Sequence, residues 1–485
     1  MPNPATDIDA YVSPLALRFA SREMQSLWSP RKKFGLWRRL WLALATAEKD
    51  LGLDITQGQI DAIADNLDVT PDQLDRAAEI ERELRHDVMA HVHLLGELAP
   101  DARAIIHLGA TSQFVNCNAE TLLLRDALDL VCVKAARAID VLADLAETHR
   151  DLPALAFTHY QPAQPTTMGR RCAGWAYDLS LCLERVERTR DELRFRGTKG
   201  ATGTQASFLN LFEGDHEKVA ELDRRVSASF GFETDAQRLL LTGQTYPRVI
   251  DAFVLSELAA LAACVHKICN DIRLLSNRKE VDEPVASAQI GSSAMPYKQN
   301  PMRCERATGL CRFVMNLAPN ALQTAATQWL ERTLDDSANR RLSLPESFLA
   351  LDGALDLLHN VGSGLVIHDG PTRANLRAEM PFMATENVMM EAVKGGGDRQ
   401  EIHEAIRKHS RAAASVVKDE GKPNDLLDRL AQEPLLEGVD VEALLDPSAY
   451  VGLAAHQVER FLVEVAAPIR TRYSDRLAPA SEPHV

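Results

Sequence analysis

Leu124, Leu128, Val131, Ala135, Ala138, Leu142 and Leu145 recur in alternating steps of four and three residues. That period holds apolar side chains on one helix face for about six turns, and a strand cannot reproduce it. The pattern returns at Cys172, Trp175, Leu179, Cys182 and Val186, and again at Ile250, Val254, Leu258, Leu261, Val265, Ile268, Ile272 and Leu275. Further helices are expected over about 302–329 and 345–367. Helices this long cannot bury their apolar faces on short neighbours. They predict an all-α fold: an elongated central bundle of long helices, 112–367, flanked by two smaller helical domains, 1–111 and 368–485.

Within the first flank the pattern predicts shorter helices, such as 38–51 and 73–95. The second boundary is set at His368-Asp369-Gly370-Pro371, because Gly-Pro punctuates helices. The Pro- and Ala-rich tail from about Ser474 is expected to fray. Apolar residues reach beyond one face of the long helices, so the bundle is expected to pack against other copies of the chain. No strand-rich region and no internal repeat is visible.

Charge narrows the function classes. Among 485 residues, 54 Lys and Arg stand against 69 Asp and Glu, a net charge of −15. A general nucleic-acid binder needs surplus basic charge, so no nucleic-acid partner is expected. Met1 to Tyr11 has neither Lys nor Arg and no apolar core of a signal peptide. The most apolar stretch, Leu258 to Val265, is too short to span a bilayer, so no membrane partner and a cytoplasmic location are expected. The eight cysteines form no CxxC pair, and free thiols are expected in a reducing compartment.

Polar, Gly-rich junctions separate the helices at 85–96, 107–118, 157–169, 197–205 and 282–301. Function is expected where such junctions meet on a rigid scaffold. The last of them contains Gly291-Ser292-Ser293-Ala294-Met295-Pro296-Tyr297-Lys298-Gln299-Asn300-Pro301. By composition alone it reads equally well as a solvated loop. His86, His91 and His93 invite a metal reading. On a helix, 86 and 93 share a face while 91 points away, and no HExxH is present, so a structural role is favoured and no metal is expected.

The order of the 291–300 residues resembles the signature loop of the fumarase/aspartase superfamily, GSSxMPxKxN. His107-Leu-Gly-Ala-Thr-Ser112 and Thr158-His159-Tyr160-Gln161-Pro162-Ala163-Gln164 are similar to two further motifs of that superfamily. Within it, the chain most resembles the adenylosuccinate lyase branch that includes the animal enzymes. That likeness rests on Ser13-Pro14-Leu15-Ala16-Leu17-Arg18, on 85–93, on 199–208 and on Glu331 to Arg341, and it runs from about 11 to about 475.

The resemblance implies a cofactor-free homotetramer whose sites are shared between subunits. It implies β-elimination of fumarate from succinylated purine nucleotides: adenylosuccinate to AMP, and the succinylated aminoimidazole carboxamide ribotide (SAICAR) to its carboxamide (AICAR), in purine biosynthesis. Such chemistry needs a base for the proton next to a carboxylate, an acid for the departing nitrogen, and cationic support for the carbanion. The resemblance assigns the base to Ser292 and the acid to His159, with Lys298 and His86 as further catalytic groups. A serine hydroxyl must be activated by its surroundings, and Lys298 is one candidate for that; histidine titrates near neutrality.

Arg18, Arg332, Ser337 and Arg341 are similar to the family's phosphate anchor, and guanidinium forks suit phosphate oxygens. Ser337 and Arg341, four apart, share a helix face. Thr111, Ser112, Gln244, Lys298 and Asn300 look like carboxylate and loop contacts. Arg85, Asp87, Thr158, Ser293, Glu305 and Arg306 complete the implied set. Phe19 stands where the branch has Tyr, and Gln299 and Cys304 where Arg and Ser are common. Two alternatives remain at this point: argininosuccinate lyase, whose substrate has no phosphate for these arginines, and a retired helical scaffold, against which His159, Ser292 and Lys298 speak.

Overall fold

Hydroxyl caps set the helix starts in the first quarter of the chain. Ser21, Ser29, Thr56 and Thr70 each accept the backbone N–H three residues on, opening α1 (Arg22–Leu27), α2 (Pro30–Asp50), α3 (Gln57–Ala64) and α4 (Pro71–Leu84). The single helix expected over 73–95 is broken. Arg85 turns left-handed, with φ 55°, and the His86 side chain caps α5 (Asp87–Leu98) through the N–H of Met89 at 3.3 Å. Two polar side chains are thereby aimed outward at the break, where a continuous helix would spread them along its surface. The computed structural model from which these elements come describes residues 9–285, 294–295 and 297–477.

The bundle follows. α6 (Ser112–Thr148) leads to a hairpin, β1 (Pro153–Thr158) with β2 (Gln161–Thr167), and then α7 (Met168–Asp191). Short α8 (Ala206–Leu211) and α9 (His216–Ala228) precede α10 (Val249–Asn277), β3 (Val281–Asp282), α11 (Met302–Ala326) and α12 (Asp336–Gly364). β4 (Val366–Ile367) pairs antiparallel with β3 and clamps the foot of the 282–301 junction. The C-terminal part holds α13 (Asp369–Met383), α14 (Thr385–Lys394), α15 (Arg399–Glu420), α16 (Leu426–Ala431), α17 (Ala454–Phe461) and α18 (Ala467–Arg472).

α6 and α12 are buried on most of their faces, as helices enclosed by neighbours are. Leu351 to Leu355 and Leu357 to Leu358 are buried without a break between turns. Glu120–Arg340 and Lys134–Asp356 ion pairs show that α6 and α12 run in the same direction. α10 passes a length and composition test for a membrane span, unlike the shorter stretch Leu258–Val265 read from sequence. Its face from Val254 to Leu275 lies in the bundle core. A second core joins α2, α3 and α5 to the first turns of α6 and to 195–232, and a third sits within 388–441.

Two expected helix limits shift. α11 ends at Ala326, and α12 begins nine residues before Pro345, which lies inside it. Ser347 Oγ donates to the Ser343 carbonyl, and buried ion pairs of Arg340 hold the turns before the proline. The junction expected at 157–169 is largely the hairpin.

Candidate active site

At the N-terminal end of α6 several polar junctions meet. Thr111 is the N-cap of α6, and Ser112 is its first residue. Gln244 donates to Thr111 Oγ1 at 3.4 Å through Nε2, and its backbone N–H reaches the Glu331 carbonyl at 2.9 Å. Gly243 allows this approach, since a Cβ there would lie 2.5 Å from that same carbonyl oxygen. Arg341, the residue after the buried Arg340, donates to Asp87 Oδ2 at 2.6 Å. Burial pushes the Asp87 carboxyl up, but Arg341, the Val88 N–H and Lys33 outweigh it and hold it below the usual range.

The floor of this cluster is ionic and largely buried. Arg248 and Arg332 both hold Asp336, at 2.6 and 2.7 Å, and Asp336 is fully buried. Burial raises its carboxyl, and the two guanidiniums overcome that to leave it lowered. Arg340 bonds Asp251 at 2.6 Å and Glu120 at 2.9 Å, and Tyr246 donates to Asp251 at 2.6 Å. Pairs of this kind fix geometry more than they add stability, because desolvation cancels much of the attraction. Ser337 and Arg341 stand on α12 directly above this floor, with Arg332 just before it.

Two residues here were not proposed as site residues from sequence. Lys33 of α2 is lowered by burial and by Arg341, so it adds a partly desolvated cation. His107 has φ 69° and accepts the Trp41 indole N–H on Nδ1 at 2.9 Å, which leaves its proton on Nε2. Burial and the nearby His86 push His107 down to about 4, so it is neutral at pH 7. Of the three histidines first weighed as metal ligands, His91 stacks on Phe34 at 3.9 Å and is buried, while His86 caps a helix.

His159 stands elsewhere. Thr158 pairs with Gln161, so His159 and Tyr160 form a two-residue turn. Both have positive φ, 54° and 56°, as a type I′ turn demands. Glycine or asparagine is the usual occupant, and two bulky residues there carry a conformational cost that the hairpin must enforce. Both side chains are exposed. The hairpin leans on α13, and Phe157 packs under the Arg278 guanidinium. α6 alone, at ~1.5 Å per residue, separates the two ends by ~55 Å. One chain therefore cannot bring His159 to Thr111, Gln244 or Arg341.

The third group surrounds the start of α11. Ser292 and Ser293 lie outside the described residues, as does Gly291. Lys298 is exposed, and its N–H bonds the Met295 carbonyl at 3.0 Å. Asn300 accepts the Met302 N–H through its carbonyl at 2.8 Å. Glu305 faces Arg273 at 3.7 Å. Burial lowers Arg306, and the neighbouring Arg18 and Arg303 lower it further, so three guanidiniums concentrate positive charge here.

The base of the signature segment is closed by Glu283, another residue not read from sequence. Its carboxylate accepts the N–H groups of Arg303 at 3.0 Å and Cys304 at 2.7 Å, capping α11. Arg303 answers with a bond to the Pro284 carbonyl. Cys304 itself is buried beside Cys269 in the α10–α11 seam. That departure from Ser points into the core rather than into the site. Arg18 and Phe19 lie along α12 near Gly353, about 18 Å from Arg341 by helix rise.

Comparison with known proteins bears on what these groups do. The profile of a family described as lyase matches residues 21–316, and one described as adenylosuccinate lyase C-terminus matches 381–461. The chain is 49% identical over 459 residues to the adenylosuccinate lyase of Saccharomyces cerevisiae, covering 94% of this chain and 95% of that protein. It is 47% identical to the Schistosoma mansoni adenylosuccinate lyase over 476 residues, covering 97% and 98%. Among solved structures it is similar to a 3-carboxy-cis,cis-muconate lactonizing enzyme from Pseudomonas putida, with TM-score 0.79, 25% identity, and 94% and 99% of the two chains covered.

Proposed function

The chain belongs to the adenylosuccinate lyase family, and on that premise we propose that the polar groups at the two ends of its bundle cleave the C–N bond of adenylosuccinate. The protein is a C–N lyase acting on a small nucleotide, and the products are AMP and fumarate. The observation that carries this reading is the convergence of Asp87, Thr111, Gln244, Arg332 and Arg341 from separate segments on one ionic floor.

In the reaction a base removes the proton from the carbon next to a carboxylate. The electron pair forms the new C=C bond, the C–N bond breaks, and an acid protonates the nitrogen that leaves. Ser292 is assigned as the base and His159 as the acid, on their motifs. Lys298, Arg303 and Arg306 supply positive charge where the carbanion's carboxylate gains negative character. Arg332, Ser337 and Arg341 suit the phosphate, with Arg18 joining them from another subunit or by movement of its segment. His86, Arg85 and Asp87 line the same end as Thr111, Ser112 and Gln244. Thr158 flanks His159 on the hairpin.

The separation of the two ends supports a site assembled from several subunits. Exposed Tyr177, Leu181, Phe253, Phe313 and Leu322 on α7, α10 and α11 are apolar surface suited to packing against other copies in a homotetramer. All eight cysteines are free thiols, which suits a reducing, cytoplasmic setting.

The test is direct. Purified protein should consume adenylosuccinate and release fumarate in equal amounts, and should also turn over SAICAR. Turnover of argininosuccinate in place of both would overturn the substrate reading, and inactivity on all three would revive the scaffold reading.

A further inference from the structure

Arg18 is carried by the π-helical turn Leu15–Phe19, in which no side chain is fully buried. Apolar packing alone therefore holds this turn weakly, yet a phosphate ligand must be held in place to a fraction of an ångström. Two features of α12 supply what the turn lacks. The Asp352 carboxylate accepts the Ser21 N–H at 2.6 Å on Oδ2 and the Ser21 hydroxyl at 3.2 Å on Oδ1. Asp352 is fully buried and is itself fixed by Lys134 at 2.5 Å, which also reaches Asp356 at 2.7 Å. Next to it, Gly353 leaves a notch. A Cβ there would stand 2.6 Å from the Phe19 carbonyl oxygen and 3.0 Å from the Phe19 carbonyl carbon. Real Cβ atoms do not approach backbone so closely, so any side chain at 353 must push the turn away from the helix.

The notch receives Phe19, the last residue of Arg18's own turn, and the pin binds Ser21, two residues further on. A buried aspartate needs partners, but Lys134 already satisfies its charge. The two bonds to Ser21 are the extra feature, and they bind the only stretch of this region assigned to substrate. We infer that Asp352, Ser21 and Gly353 form a mount that sets the reach of Arg18 toward the nucleotide phosphate. None of the three touches substrate; they are positioning residues. The inference rests on the reading of Arg18 as a phosphate ligand.

The experiment is a set of double-mutant cycles on the intact enzyme, reading KM and kcat for adenylosuccinate. Gly353→Ala should raise KM about tenfold with kcat within about twofold, because the phosphate is remote from the breaking bond. Ser21→Ala should raise KM about threefold, and Ser21→Thr, which keeps the hydroxyl, should restore it. In an Arg18→Ala background, either change should add less than about twofold, since residues acting through one contact are not additive. Thermal midpoints and assembly size, measured beside the kinetics, identify a variant that has merely failed to fold. Should Gly353→Ala fail in that way, the Ser21 pair decides the matter alone.

Effects that multiply in the Arg18→Ala background would overturn the mount, as would unchanged KM in both Gly353→Ala and Ser21→Ala while Arg18→Ala raises it. If Arg18→Ala itself leaves KM unchanged, the phosphate reading of Arg18 falls first and takes the mount with it.

Discussion

The two ends of the long bundle hold their polar groups by opposite means. At the N-terminal end of α6, Asp87 and Arg341 sit over buried charge pairs, and nearly every group has a partner in the same chain. At the far end, His159 projects from a two-residue turn on a two-stranded ribbon, exposed and backed chiefly by Phe157 and α13. One end resembles a finished binding surface that lacks an acid. The other is an exposed histidine on a strut, the proposed acid, with no binding surface around it in the same chain. The difference teaches that the length of α6 keeps a single chain from joining the two ends, so on the proposed reading neither end is a site alone.

Removing His159 should have the largest effect. His159→Ala should lower kcat by about 10²–10⁴ with KM nearly held, as expected for loss of a general acid. A raised KM with unchanged kcat would make the hairpin a binding element and weaken the contrast between the ends.

Helix α2 contains a weak point. Glu48 of α2 is fully buried, with no hydrogen-bond partner for either carboxylate oxygen among the described residues, and burial pushes it up to about 9. Its folded value lies above the unfolded one, so its contribution to stability is fully present below about pH 4.5 and is lost as pH rises toward 9. Glu48→Gln should remove that slope, with a difference from wild type that grows by at most ~1.4 kcal/mol per pH unit between those limits. Urea midpoints from pH 4 to 9 would show it. Parallel curves for the two proteins would mean that Glu48 is ionised and paired.

Arg341→Gln comes next. It should raise KM for adenylosuccinate by about ten- to a hundredfold, the range of one lost charge-assisted bond. It should also free the Asp87 carboxyl to titrate nearer its ordinary value, since Arg341 is the leading group that lowers it. Phe19→Tyr should be the smallest change. A hydroxyl added beside Arg18 should lower KM by the equivalent of ~1 kcal/mol if it reaches the phosphate. A raised KM would show that Phe19 points only into the bundle it packs on.

The long helices were legible because their apolar residues repeat without interruption, as from Leu124 to Leu145. Proline obscured the rest. Pro345 reads as a helix start, since it removes the N–H that would bond the Arg341 carbonyl. The helix passes through it because the ion pairs of Arg340 anchor the preceding turns, and such pairs join residues more than 80 apart in sequence. The hairpin was hidden in the same way. Pro162 and Pro165 lie in β2, a position open to proline only because a two-stranded ribbon has free edges. Motifs brought most site residues forward. Lys33, His107 and Glu283 act through neighbours that only the folded chain supplies.

The account stands on the claim that one site needs both ends, each from a different subunit. Inactive His159→Ala protein and inactive His86→Ala protein should therefore be mixed under conditions that exchange subunits, with hybrid formation verified by mass. Random one-to-one mixing should restore about a quarter of the wild-type activity, because that share of shared sites draws both intact residues from different copies. Verified hybrids as inactive as either parent would contradict the shared site.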